Sequence, residues 1–175
     1  MKEVNEGFTI VKALAAVALA LGLVGTTAVA TESHQADSQT LKRGRYLTVT
    51  SGCNDCQTPG YPEADGALPA NQWLAGSPVG FQGPWGTTYP ANLRLVVQGM
   101  SEAQWLARVR QPMRPPMPWF NLRAMDDADL IAIYRFIRAL GPAGQPAPAA
   151  AGPGEVVTTP YIDFVPKNLP RQASR

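Results

Sequence analysis

An all-α domain is the fold class this sequence predicts, on two capped amphipathic segments and on the lack of any strand–helix–strand alternation around its cysteine pair. The clearest segment is "DDADLIAIYRFIRALGP", in which Leu130, Ile133, Tyr134 and Ile137 recur at i, i+3, i+4 and i+7. Asp126 is placed to cap this helix, Met125 and Leu130 to form its flanking staple, and Gly141-Pro142 to end it. Arg135 and Arg138 lie toward its C-terminus, where cations suit the helix dipole. A second helix begins at Ser101, whose hydroxyl can pair with Gln104 in a capping box, with Met100 and Trp105 as staple and Pro112 as stop. The segment "LKRGRYLTVTSG" is open: its end alternates like a strand, while Leu41, Gly44 and Leu47 keep a helical spacing.

The remaining stretches divide by composition. Residues 1–30 carry Lys2 and Lys12 around a polar start, then the apolar run "ALAAVALALGLVG" and a terminal "AVA", which is the pattern of a signal peptide cut between Ala30 and Thr31. The run is short and alanine-rich for a membrane span, so membrane contact is expected only if it stays uncleaved as an anchor. Residues 31–40 read as a polar, flexible leader holding the only histidine, His34, as a solvated residue. Between the cysteine pair and Ser101 lies a long section rich in Gly, Pro, Asn and Trp, which requires something to organise it. Residues 141–175 form a Pro/Ala/Gly-rich tail whose first part holds too little apolar surface to fold, and whose end either docks in extended form or trails.

Charge and cysteine usage narrow the function. Removing residues 1–30 takes away two lysines and two glutamates and leaves the formal net charge at +2, with no clustered basic face for nucleic acid. The only histidine lies in the leader and no G-x-S-x-G occurs, so hydrolase chemistry has no support. Export favours an oxidising compartment, in which the pair in "SGCNDCQTPG" would act as a disulfide, a redox centre or an attachment site. A thiol–disulfide oxidoreductase would set the motif in a thioredoxin-like βαβ pattern, which is missing, and two cysteines fall short of the four ligands of a structural zinc site.

The series "RGRYL", "CNDC", "FQGPWGTTYPANLR", "SEAQWLARVR" and "PPMPWFNLRAMDDADLIAIYRFIRAL" covers residues 41–140 and resembles small bacterial class I c-type cytochrome domains. The resemblance implies a cytochrome-c-like helical domain with long haem-wrapping loops, in which Cys53 and Cys56 form thioethers to haem c and Met117 of "PPMPW" is an axial iron ligand. Met113 competes for that role, and the prolines on both sides of Met117 favour Met117. It further implies a close helix crossing at Gly44 and Tyr134, and a loop at Tyr89 and Asn92 around one haem edge. The four tryptophans read as core or haem-edge packing, and Asp126, Asp127 and Asp129 as helix-start residues. Gln57 stands where the family places its axial histidine, and an amide is a poor ligand for ferrous iron. The expected role is periplasmic electron transfer, without catalysis, to a redox partner protein or dehydrogenase. The alternative is a haem-free binding or accessory domain with a Cys53–Cys56 disulfide.

Overall fold

The computed structural model describes residue 35 and residues 37–168. The signal-peptide reading of residues 1–30, the Ala30/Thr31 cut and His34 lie outside the described residues. The chain divides into residues 1–40 and residues 41–175, and everything that follows concerns the second unit except the first turn of its leading helix.

That helix, α1, runs over residues 37–50, so the part read as a leader is helical from residue 37. Helical spacing prevails over the strand-like "LTVT" because it buries Gly44 and Leu47 on one face. Gly52, at φ 71°, turns the chain into the short helix α2, Cys53–Gln57. The Thr58 hydroxyl then donates to Asn54 Oδ1 and accepts from the Leu74 amide, both at 2.8 Å, which anchors the following loop to α2. Helix α3, Leu93–Val96, is capped by the Asn92 side chain, which accepts from the Leu95 amide at 3.1 Å. Helix α4, Glu102–Val109, opens with both halves of the Ser101–Gln104 capping box. Helix α5, Trp119–Ala124, starts after Pro118, and α6, Asp127–Leu140, ends at Gly141 with φ 72°. Asp126 occupies the N-cap of α6 without a side-chain capping bond; Asp127 pairs instead with Arg110, and Asp129 with Arg43 of α1 at 2.8 Å.

The all-α expectation fails at a three-stranded sheet. Strands β1, Gly80–Gly83, and β2, Gly86–Thr88, form an antiparallel hairpin, and β3, Tyr161–Asp163, lies parallel to β1, in the order β2-β1-β3. The fold is therefore mixed helix and sheet. Strands of three or four residues are too short to print a period-two pattern, and "GFQGPWG" has turn residues where a strand would show β-branched ones.

The tail is part of the same structure. Proline-rich chain has few amides to build its own ladder, and here its carbonyls are taken by side chains from elsewhere. Asn92 Nδ2 donates to the carbonyls of Ala143 and Gln145 at 2.8 and 3.1 Å. Arg94, 5% exposed, donates to the carbonyls of Asn71 and Gly141 at 2.6 Å and also to that of Leu140. Ala151 is buried and exchanges two backbone bonds with Thr87, at 3.1 and 2.9 Å. A Cβ on Gly86, whose φ is 94°, would lie 2.2 Å from the Ala151 carbonyl, so this approach needs glycine.

The core gathers Trp73, Leu74, Val97, Trp105, Val109 and the inner face of α6. Helices α1 and α6 cross at Gly44, where a Cβ would meet the Ala132 carbonyl oxygen at 2.0 Å and Phe136 Cβ at 2.7 Å. The aromatic partner at that crossing is Phe136 and not Tyr134. Tyr134 lies tilted against Trp105 and donates its hydroxyl proton to the Met100 carbonyl. Among the described residues no helix is long and apolar enough to cross a membrane.

Candidate functional site

A cavity of about 550 Å³ opens between α2, the sheet, α3, α4 and the loop before α5. It lies within the size range of pockets that bury small ligands and cofactors, about 300–1,000 Å³. Its wall is mostly apolar, with Phe81, Leu93, Trp105, Val109 and Ile133 among its residues, and the tail adds Pro148 and Ala150.

Cys53 and Cys56 reach the cavity from one turn of α2, since residues three apart share a helix face. Both are free thiols. Burial pushes the Cys53 thiol up from the ordinary 9.0 to about 11, with the Asp55 charge adding to the rise, and the same two causes raise Cys56. Both therefore stay protonated at neutral pH. Thiol–disulfide exchange wants the opposite shift, a cysteine made more acidic by a helix N-terminus or a cation.

Gln57 lines the same cavity and is 8% exposed. Its backbone carbonyl accepts from the Gly76 amide at 2.8 Å, while its side-chain amide has no hydrogen-bond partner among the described residues. That leaves the amide free to hydrogen-bond to water or to a ligand in the cavity.

Met117 arrives from a distant part of the sequence, on the loop between α4 and α5. That loop is tied down: Thr88 Oγ1 donates to the Pro115 carbonyl at 2.7 Å, Arg114 Nη1 to the Ala151 carbonyl at 3.3 Å, and the Trp119 amide to the Met117 carbonyl at 2.9 Å. Met113 lines the cavity as well, so the geometry brings both methionines there. Tyr89 is in the wall, its hydroxyl 2.5 Å from Thr159 Oγ1. Asn92 is not in the wall. It is 2% exposed and committed to capping α3 and holding the tail, while Tyr89, Pro90, Ala91 and Leu93 of the same loop line the cavity.

Sequence reasoning missed Phe81, Arg108, Arg114, Pro148 and Ala150 as wall residues. No local signal marks Phe81, Pro148 and Ala150, because the hairpin and the tail reach the cavity only through long-range pairing, and Arg108 and Arg114 read as ordinary exposed arginines of α4 and the methionine loop. Of the tryptophans, Trp105 lines the cavity and Trp73 is core, while Trp85 and Trp119 stay outside the wall. No protein-family model, curated protein or solved structure matches the chain.

The donor set can be tested against a haem. Two thiols on one helical turn suit double thioether attachment, and a thioether from Met117 or Met113 suits one axial position. Among the described residues no three His, Cys, Asp or Glu side chains converge as a metal site. For a second iron ligand the wall would offer only the Gln57 amide near the cysteines, a poor ligand for ferrous iron.

Proposed function

We propose that the cavity receives a haem attached through Cys53 and Cys56, with Met117 toward the iron and Gln57 in the other axial position, and that the chain carries electrons in the periplasm. The observation that supports this reading is the convergence of Cys53, Cys56, Gln57 and Met117, drawn from two distant parts of the sequence, on one apolar cavity. Bound haem supplies a one-electron iron couple, and thioether ligation holds its potential high enough for transfer between proteins. The chain's own contribution is attachment, orientation and exclusion of water. Pro116 and Pro118 hold the Met117 backbone, and the Thr88 bond fixes the loop. Phe81, Trp105 and the tail residues keep the cavity apolar, which favours the less charged state of a bound metal centre. The partner in this reading is a redox protein or dehydrogenase.

The test is expression of the full chain with a cytochrome maturation system, for the parent and for Gln57→His. The variant is expected to acquire covalent haem, read as a mass increase and a six-coordinate low-spin spectrum. The parent is expected to carry much less, or haem that binds carbon monoxide at the loose axial position. Absence of haem from both proteins would overturn the reading in favour of a haem-free binding domain. Equal six-coordinate spectra would overturn the place given to Gln57.

A further inference from the structure

The charged side chains in the cavity wall have one sign, Asp55 lying beside the wall cysteines but outside the wall. The wall contains two guanidinium groups, Arg108 and Arg114, and no aspartate or glutamate. Both side chains are exposed, so they stand at the mouth and not in the apolar interior. The ion pairs among the described residues use Arg43, Arg110, Arg135 and Lys167, which leaves both mouth arginines without a carboxylate. Arg108 also makes no side-chain hydrogen bond with a described residue, and Arg114 makes the single bond to the Ala151 carbonyl. Arg110, two residues from Arg108, donates to two backbone carbonyls and pairs with Asp127, so an arginine at this helix end engages partners where they exist.

We propose that Arg108 and Arg114 form an acid-binding subsite, and that the cavity's ligand is an apolar body carrying carboxylates at the mouth. This rests on the haem reading and narrows it: a tetrapyrrole dicarboxylate would sit with its acid groups against α4 and the methionine loop. The guanidinium fork matches carboxylate geometry and stays charged at all working pH. A wall without acidic residues leaves no internal competitor for the pair. Because the site is at the mouth, water and salt screen it, and each contact is worth little more than an exposed ion pair.

The test uses the full chain made without haem attachment and three probes: metal-free protoporphyrin IX, its dimethyl ester and hexadecanedioate. Binding of the porphyrins is followed by quenching of tryptophan, Trp105 being in the wall, and binding of hexadecanedioate by calorimetry. The diacid porphyrin is expected to bind more tightly than its ester, and added salt to weaken the diacid alone. Arg108→Gln together with Arg114→Gln is expected to weaken the diacid about tenfold and to leave the ester unchanged. Arg108→Gln alone, which removes no protein hydrogen bond, is expected to give a smaller loss in the same direction and guards against a folding artefact. Equal binding of diacid and ester, with no effect of the double variant, would overturn the subsite and leave the tetrapyrrole reading standing. Hexadecanedioate that binds in an arginine-dependent way while neither porphyrin binds would support the subsite and overturn the tetrapyrrole. No binding of any probe would overturn both.

Discussion

Cys53 sits where burial works against ionisation, and the consequence can be measured. Its pKa is raised to about 11 by desolvation first and by Asp55 second. A raised thiol pKa means that the folded chain holds its proton after the unfolded chain has lost it. The associated stability is complete below the ordinary value of 9.0 and disappears as pH rises through about 11. Denaturation of the haem-free protein at pH 8 and pH 11 is expected to show a loss of about 2 kcal/mol that Cys53→Ser removes. Alkylation by iodoacetamide at pH 8 is expected to run about 100-fold slower at Cys53 than at free cysteine, from the thiolate fraction alone. Fast alkylation at neutral pH would mean an activated thiol and would bring disulfide exchange back. Gln57 belongs to this scale too. The sequence shows the substitution, whereas the unpartnered amide in the cavity wall is visible only in three dimensions.

Between elements, the crossing of α1 and α6 depends on one missing methyl group. A Cβ at Gly44 would fall 2.0 Å from the Ala132 carbonyl oxygen, and backbone cannot yield as a side chain can. Gly44→Ala is expected to cost about 1–3 kcal/mol in urea denaturation by pushing the helices apart. Gly99 has no atom within 4 Å of its virtual Cβ and no positive φ, so Gly99→Ala is expected to be neutral or to stabilise by about 0.4–1 kcal/mol. Opposite signs from the same chemical change separate packing from chain entropy. Elements α4 and α6 could be read from the sequence because caps, staples and a 3.6-residue period are local. The crossing residue at Gly44 could be read as well, though not its partner: Tyr134 and Phe136, two residues apart, point to nearly opposite sides of one helix, and both are buried, so burial alone does not say which of them meets α1. The sheet was illegible for the converse reason. Gly80 pairs with Tyr161 through backbone atoms, and no side chain of "GFQG" or "YID" announces it.

At the scale of the whole molecule, the tail decides whether the cavity has a closed wall. Composition predicts that a segment of Gly, Pro and Ala stays unfolded, which holds only while it must supply its own burial. Here Asn92 and Arg94 satisfy its carbonyls, Thr87 pairs with Ala151, and Pro148 and Ala150 complete the wall. The Thr87 amide reports on this arrangement alone, since it donates to the Ala151 carbonyl and not across the hairpin. A chain ending at Thr158 lacks β3 but keeps residues 141–151, and is expected to retain slow exchange at the Thr87 amide. A chain ending at Gly141 loses both Thr87–Ala151 bonds, a cost of at least about 2 kcal/mol at about 1 kcal/mol each. In that chain the Thr87 amide is expected to exchange freely and the apolar wall to bind a hydrophobic dye such as anilinonaphthalene sulfonate. Unchanged Thr87 protection after truncation at Gly141 would make the tail a passenger, with the cavity closed by the helices and the hairpin alone.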